Sequence, residues 1–202
     1  MARIDTPQLD ELHITFFNQI DFDIPRLAQF INCTPKLWKP DVHVQFEYYY
    51  ACVRLSPVPR FRVLDIAIRC EESDWQLSAI EQVCNSSLHF LSTAENLYIE
   101  RPYRRLEPVW EDDAIENTLW LQLLLPFTAV KNLYLSKEFA PGIAAALQEL
   151  VGGRIMEVLP SLQNIFVEGL EPSGPFQENI GQFVAARQLS DHRITISVWS
   201  KQ

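Results

Sequence analysis

The sequence predicts an α/β fold: a solenoid of strand–helix units, with a parallel sheet on its concave face and helices on its convex face. Three observations carry this. One phrase (apolar, polar, Asn, aliphatic, aromatic, aliphatic) occurs as Ala94-Glu95-Asn96-Leu97-Tyr98-Ile99, Val130-Lys131-Asn132-Leu133-Tyr134-Leu135 and Leu162-Gln163-Asn164-Ile165-Phe166-Val167. Its asparagines lie 36 and 32 residues apart, room for one strand, one helix and two turns, and self-similarity at that period marks stacked repeats. The strands are also apolar on one side only, their other side reading Asn, Tyr and Glu, whereas a doubly wound sheet buries both sides.

Taken in order, period-two alternation gives strands over 9–17, 42–50, 61–70, 94–100, 130–136, 162–169 and 193–199. Four share an apolar-x-x-aliphatic-x-aliphatic core: Leu9/Leu12/Ile14, Phe61/Leu64/Ile66, Val130/Leu133/Leu135 and Leu162/Ile165/Val167, with Ala94/Leu97/Ile99 a weaker fifth. Alternation places these side chains together on the helix side of the sheet. Ile24-Pro25 opens a first helix along Leu27, Phe30 and Ile31. Asp74 reads as the N-cap of a helix over 75–84, whose stripe is Leu77, Ile80, Val83 and Cys84. Asn117 or Thr118 opens a helix over 119–125 that Pro126 ends, and Pro141 starts one over 142–151. Gly152-Gly153 then breaks the chain before a short helical piece over 154–159. Ser173-Gly174-Pro175 leads into a last helix over 176–188, burying Ile180, Phe183 and Val184.

Two stretches interrupt this rhythm, near 41–60 and 101–116. The segment 41–55 reaches the next strand through Ser56-Pro57-Val58-Pro59 with no helix between, and reads as a hairpin-like insertion or a degenerate repeat. The segment 101–113 is too long for a turn and reads as a surface excursion. No linker or low-complexity tail divides the chain, so residues 1–202 are expected to form one domain.

At 48% apolar the 202 residues suffice for a sizeable core. A net charge of −9 argues against nucleic acid, which needs clustered Lys and Arg. Cys33, Cys52, Cys70 and Cys84 lack zinc spacing and lie in apolar runs, as buried reduced thiols do. With no signal peptide and no apolar run of membrane-spanning length, a cytoplasmic or nuclear location is expected.

The strands with their following helices at roughly 30-residue intervals resemble leucine-rich repeats of the longer, helix-backed, cytosolic kind. More closely, Asn132-Leu133-Tyr134-Leu135-Ser136-Lys137-Glu138 through Leu147-Gln148-Glu149-Leu150, then Val158-Leu159-Pro160-Ser161-Leu162-Gln163-Asn164-Ile165, resembles the C-terminal half of F-box proteins of mushroom-forming fungi. That resemblance runs from about Leu9 to Trp199 and is strongest over 117–199. It implies a substrate-receptor subunit of a cullin ubiquitin ligase, in which an F-box docks on a Skp-type adaptor and the repeats hold the target. The F-box has no counterpart here, since the chain enters a repeat strand by Leu9.

On the solvent side, alternation forms three columns: Asn96/Asn132/Asn164, Tyr98/Tyr134/Phe166 and Glu100/Ser136/Glu168. The aromatic column continues into the earlier strands as His13 and Asp65. Stacked aromatics flanked by carboxylates suit a protein-binding strip. The plainer account is that aromatics favour strands and pair across them, and that the asparagines form a hydrogen-bonded ladder with no ligand. Enzymatic patterns are missing: His13, His43, His89 and His192 fall in separate units, without H-E-x-x-H, G-x-S-x-G or a phosphate-binding glycine loop. His13, His43 and Asp65 could meet across neighbouring strands, though polar residues are expected there in any case.

The expected function is therefore a non-enzymatic protein-recognition module with its partner on the concave sheet, and no cofactor or metal. The alternative is a small-molecule binder or enzyme whose pocket is roofed by the 41–55 and 101–113 segments. An uncapped first repeat is also expected to dimerise, or to be covered by residues 1–8.

Overall fold

The structure is a computed structural model that describes residues 11–17, 40–56, 63–70, 73–86, 88–101, 117–150, 154–170 and 174–200. These form an eight-stranded, mostly parallel sheet and four α-helices. In chain order the strands are β1 (Glu11–Phe17), β2 (Asp41–Phe46), β3 (Tyr50–Ser56), β4 (Val63–Arg69), β5 (Asn96–Glu100), β6 (Asn132–Leu135), β7 (Asn164–Glu168) and β8 (Thr195–Trp199). The helices are α1 (Ser73–Asn85), α2 (Asn117–Leu124), α3 (Ala140–Gln148) and α4 (Pro175–Leu189), with a 3-10 turn at His89–Thr93. The helix expected after Ile24-Pro25, the excursion after Arg101 and the Gly152-Gly153 break lie outside the described residues.

The sheet order is β1-β4-β3-β2-β5-β6-β7-β8. From β5 to β8 each strand is followed by a helix and then by its parallel neighbour, as the repeated phrase predicts. The first half departs from that progression. The expected strand over 42–50 is two strands: Glu47 N–H donates to Tyr50 C=O at 2.8 Å and closes a hairpin whose tip leaves Tyr48 and Tyr49 exposed. Of the two readings of the 41–55 interruption, the hairpin is the one observed. β3 runs antiparallel to β2 and β4, so the sheet is not wholly parallel, and the β4–α1–β5 connection crosses over two strands to reach the far side of β2.

One face of the sheet is packed under the helices. Leu97, Ile99, Leu133, Leu135, Ile165 and Val167 alternate with half-exposed residues and enter one continuous core with the helix stripes. Each such aliphatic contributes roughly 1.5–3 kcal/mol by leaving water. The predicted stripe Leu77/Ile80/Val83/Cys84 is buried on α1, and α2 adds Trp120, Leu123 and Leu124. α1 begins at Ser73, so Asp74 falls inside its first turn and not at its cap. Gly142 on α3 faces the Trp120 indole of α2, where an added Cβ would lie 3.3 Å from Nε1 and the ring would have to give slightly.

A charged group braces the last units from below. Arg187 on α4 is fully buried, and it donates to the carbonyls of Val158 (2.8 Å), Leu159 (2.9 Å) and Pro160 (3.2 Å). The first two carbonyls belong to the segment expected to be a short helix over 154–159, and the third follows it. It is a turn instead, with Leu159 in the left-handed region at φ 48°. A leucine there costs about 1–2 kcal/mol, and the guanidinium fixes the carbonyls that this backbone turns inward. Phe183 lies under the same guanidinium at 5.1 Å. Burial pushes the Arg187 pKa down from its ordinary value. α4 ends with Asp191 at φ 61°, His192 N–H bonding Arg187 C=O and Asp191 N–H bonding Gln188 C=O, a Schellman closure. Among the described residues no helix is long and apolar enough to cross a membrane.

Candidate functional site

The other face of the sheet carries three rows of side chains that run across the strands. Parallel pairing in register makes them: Asn96 opposes Asn132, which opposes Asn164, and Tyr98, Tyr134 and Phe166 line up likewise. Residues that repeat along the sequence thus become neighbours in space.

The first row is a ladder of amides. Thr195 Oγ1 donates to Asn164 Oδ1, Asn164 Nδ2 to Asn132 Oδ1 (2.8 Å), Asn132 Nδ2 to Asn96 Oδ1 (2.7 Å) and Asn96 Nδ2 to Asp41 Oδ1 (2.7 Å). Every bond points the same way, so the amide dipoles add along the chain and end on a carboxylate. Asparagine suits this because its amide both donates and accepts. The asparagines do hydrogen-bond as a ladder, and Asp41 and Thr195 are members that the repeated phrase did not reveal.

The second row crosses all eight strands: His13, Asp65, Arg54, His43, Tyr98, Tyr134, Phe166 and Ser197. From His43 to Phe166 the rings are stacked, with centroids 4.3, 4.3 and 4.6 Å apart and interplanar angles of 6–10°. From His13 to Arg54 the row gathers on the Asp65 carboxylate. Arg54 Nη2 and Nε donate to Asp65 Oδ2 at 2.8 and 3.1 Å, and His13 Nδ1 lies 3.5 Å from the same oxygen. Burial opposes the Arg54 charge, but Asp65 more than offsets it and raises the pKa. Asp65 Oδ1 is buried with no hydrogen-bond partner. The column does reach Asp65 and His13, through Arg54 and His43. The grouping of His13 and His43 around Asp65 does not form, because β4 and β3 stand between β1 and β2 and His43 turns to Glu100 instead.

In the third row Glu100 Oε1 accepts from His43 Nδ1 (3.0 Å) and Gln45 Nε2 (2.8 Å). Ser136 departs from the expected exposed column: it is buried just past β6, and its hydroxyl accepts the Arg101 backbone N–H at 3.1 Å. Glu168 follows on β7, directly opposite Trp199 on β8. The Trp199 indole reaches back over the sheet, donating to Leu135 C=O at 3.4 Å and standing nearly edge-on to Tyr134 (5.5 Å) and Tyr98 (6.2 Å). Alternation of Thr195, Ser197 and Trp199 along the last strand was the available signal for its facing.

Burial, then the neighbouring Tyr134, raises the Tyr98 pKa, so the phenol stays a neutral hydroxyl. Cys52 shares this face but is buried, and burial followed by Asp65 pushes its thiol up to about 12, away from the thiolate a nucleophile needs. Cys70 and Cys84 are buried, while Cys33 and the His89 side chain lie outside the described residues. No three His, Cys, Asp or Glu among the described residues could hold a metal. The 41–55 segment supplies two strands of the sheet and does not roof it; the 101–113 segment lies almost wholly outside the described residues. Compared with family models, with curated proteins and with solved structures, the chain finds no match.

Proposed function

We propose that this protein is a non-enzymatic recognition module that holds a protein partner on the open face of β5–β8. In this reading it is a leucine-rich-repeat-like solenoid, similar in role to the target-binding repeats of fungal F-box proteins in ubiquitin ligases. The observation that carries it is the stack from His43 to Phe166, half-buried on the face away from the helices. A hydrogen-bonded amide row borders it on one side and a carboxylate row on the other. Rings locked by their neighbours present contact area without losing rotamer freedom on binding, which is what anchors at protein interfaces do.

The test is the triple substitution of Tyr98, Tyr134 and Phe166 by Ser, used as bait beside the unchanged protein in affinity capture from the source cells. Loss of specific partners, with an unchanged circular dichroism spectrum, is expected. The same partners at the same yield would overturn the reading. Self-association through β1 is a companion proposal: among the described strands β1 stands at the edge of the sheet, and it leaves Phe17 exposed. A monodisperse monomer in light scattering would dismiss it.

A further inference from the structure

We infer that two copies of this chain join end to end through β8, the two strands pairing antiparallel about a twofold axis normal to the sheet. Equivalent positions along the sheet show why that end is different. Ile99, Leu135 and Val167 stand opposite one another on the helix side of β5–β7 and are at most 3% exposed. Val198, next in that column on β8, is 62% exposed. Of the large aliphatics exposed among the described residues, the two most exposed are Leu189 at the end of α4 (89%) and Val198. Terminal units of a solenoid ordinarily present a polar outer face. This one is apolar.

Among the described strands β8 ends the sheet. Thr195 N–H donates to Gln163 C=O, so alternation turns the peptide groups of Ile196 and Val198 away from β7, as a row of donors and acceptors along the edge. The usual guards of such an edge are missing, since Thr195-Ile196-Ser197-Val198-Trp199 holds no charge and no proline. A second copy suits this row. In an antiparallel pair outward residues face outward residues, so Ile196 and Val198 meet only Ile194, Ile196 or Val198 of the other copy. On the open side Thr195, Ser197 and Trp199 meet one another, and within the strand no register sets like charges together. At a net charge of −9 the chain repels its copies elsewhere, and an uncharged edge is where two can close. The axis keeps both helix layers on one side, so the sheet runs on through the contact with both open faces turned the same way.

Sedimentation equilibrium of the full chain over a series of concentrations, with amide hydrogen exchange followed by NMR, tests this. A monomer–dimer equilibrium is expected, with the Ile196 and Val198 amides slowing as dimer accumulates. Val198→Lys, at a position exposed in the single chain, should weaken the dimer by roughly tenfold or more, while Phe17→Lys on β1 leaves it unchanged. Should Val198→Lys not fold, the exchange rates of the unaltered protein decide. A monomer at every concentration, a dimer broken by Phe17→Lys and not by Val198→Lys, growth into open chains of copies, or amides slowed elsewhere than in β8 would each overturn the inference. The second of these would support self-association through β1, and none of them bears on recognition at the open face of β5–β8.

Discussion

The row from His13 to Phe166 is held in two different ways along its length, and the contrast follows from strand direction. In β5–β7 a repeated phrase is paired in parallel register, so each side chain faces its own kind. Only certain residues tolerate that. Like aromatics stack, and like amides alternately donate and accept, but like charges directly opposite repel. The carboxylate column obeys the same rule, since between Glu100 and Glu168 the chain places a serine that turns inward. In β1–β4 the hairpin reverses one strand and the residues differ, so unlike side chains meet, with His13 and Arg54 on either side of the Asp65 carboxylate. One half is built on self-likeness and the other on opposites.

Substitutions can break or sharpen this contrast. The largest effect is expected beneath the aromatic half, where Arg187→Met strands the carbonyls of Val158, Leu159 and Pro160. A loss of about 3 kcal/mol or more is expected in urea denaturation, and a loss under about 1 kcal/mol would show that the turn holds itself. In the ionic half, Arg54→Met leaves the buried Asp65 carboxylate with only His13. About 2 kcal/mol should be lost, less than for a fully buried pair because Arg54 is partly exposed. Arg54→Met with Asp65→Leu should restore most of it, since pairing and not either charge alone is what the row requires.

Asn132→Ala cuts the amide ladder at its centre and should cost about 1 kcal/mol. Asn132→Asp should cost more, because the new carboxylate accepts from Asn164 but cannot donate to Asn96. Equal stability of the two would refute a directional ladder. The smallest effect concerns pH. The Cys52 thiol rises from its ordinary 9.0 to about 12 in the fold, so its contribution is complete below pH 9.0 and declines as pH climbs toward 12 while the unfolded thiol ionises first. Tyr98, raised from 10.0, acts in the same direction. Urea midpoints followed from pH 8 upward should therefore fall, and fall less in Cys52→Ala.

How much of this was legible in the sequence differs between the same two halves. Asn96, Asn132 and Asn164, and the aromatics two residues on, announce their rows because a repeat carries its own register. Arg54 did not announce itself, since its place beside Asp65 depends on a hairpin turning at Glu47 to Tyr50, and alternation runs through that turn without a mark. Trp199 was legible as a strand residue but not as an indole reaching over β6, since the Leu135 carbonyl it meets lies 64 positions away.

By itself, then, the sequence determined the strand–helix alternation, the apolar face that the helices cover and the like-on-like columns of β5–β7. Each is a property of local periodicity, repeated often enough to be read. Tertiary structure alone decided that β3 enters the sheet reversed between β2 and β4, that Glu100 takes His43, and that a buried arginine braces a left-handed leucine. Those contacts join residues between 11 and 57 positions apart, and separations of that kind are fixed by how the chain packs as a whole, which no short window of residues encodes.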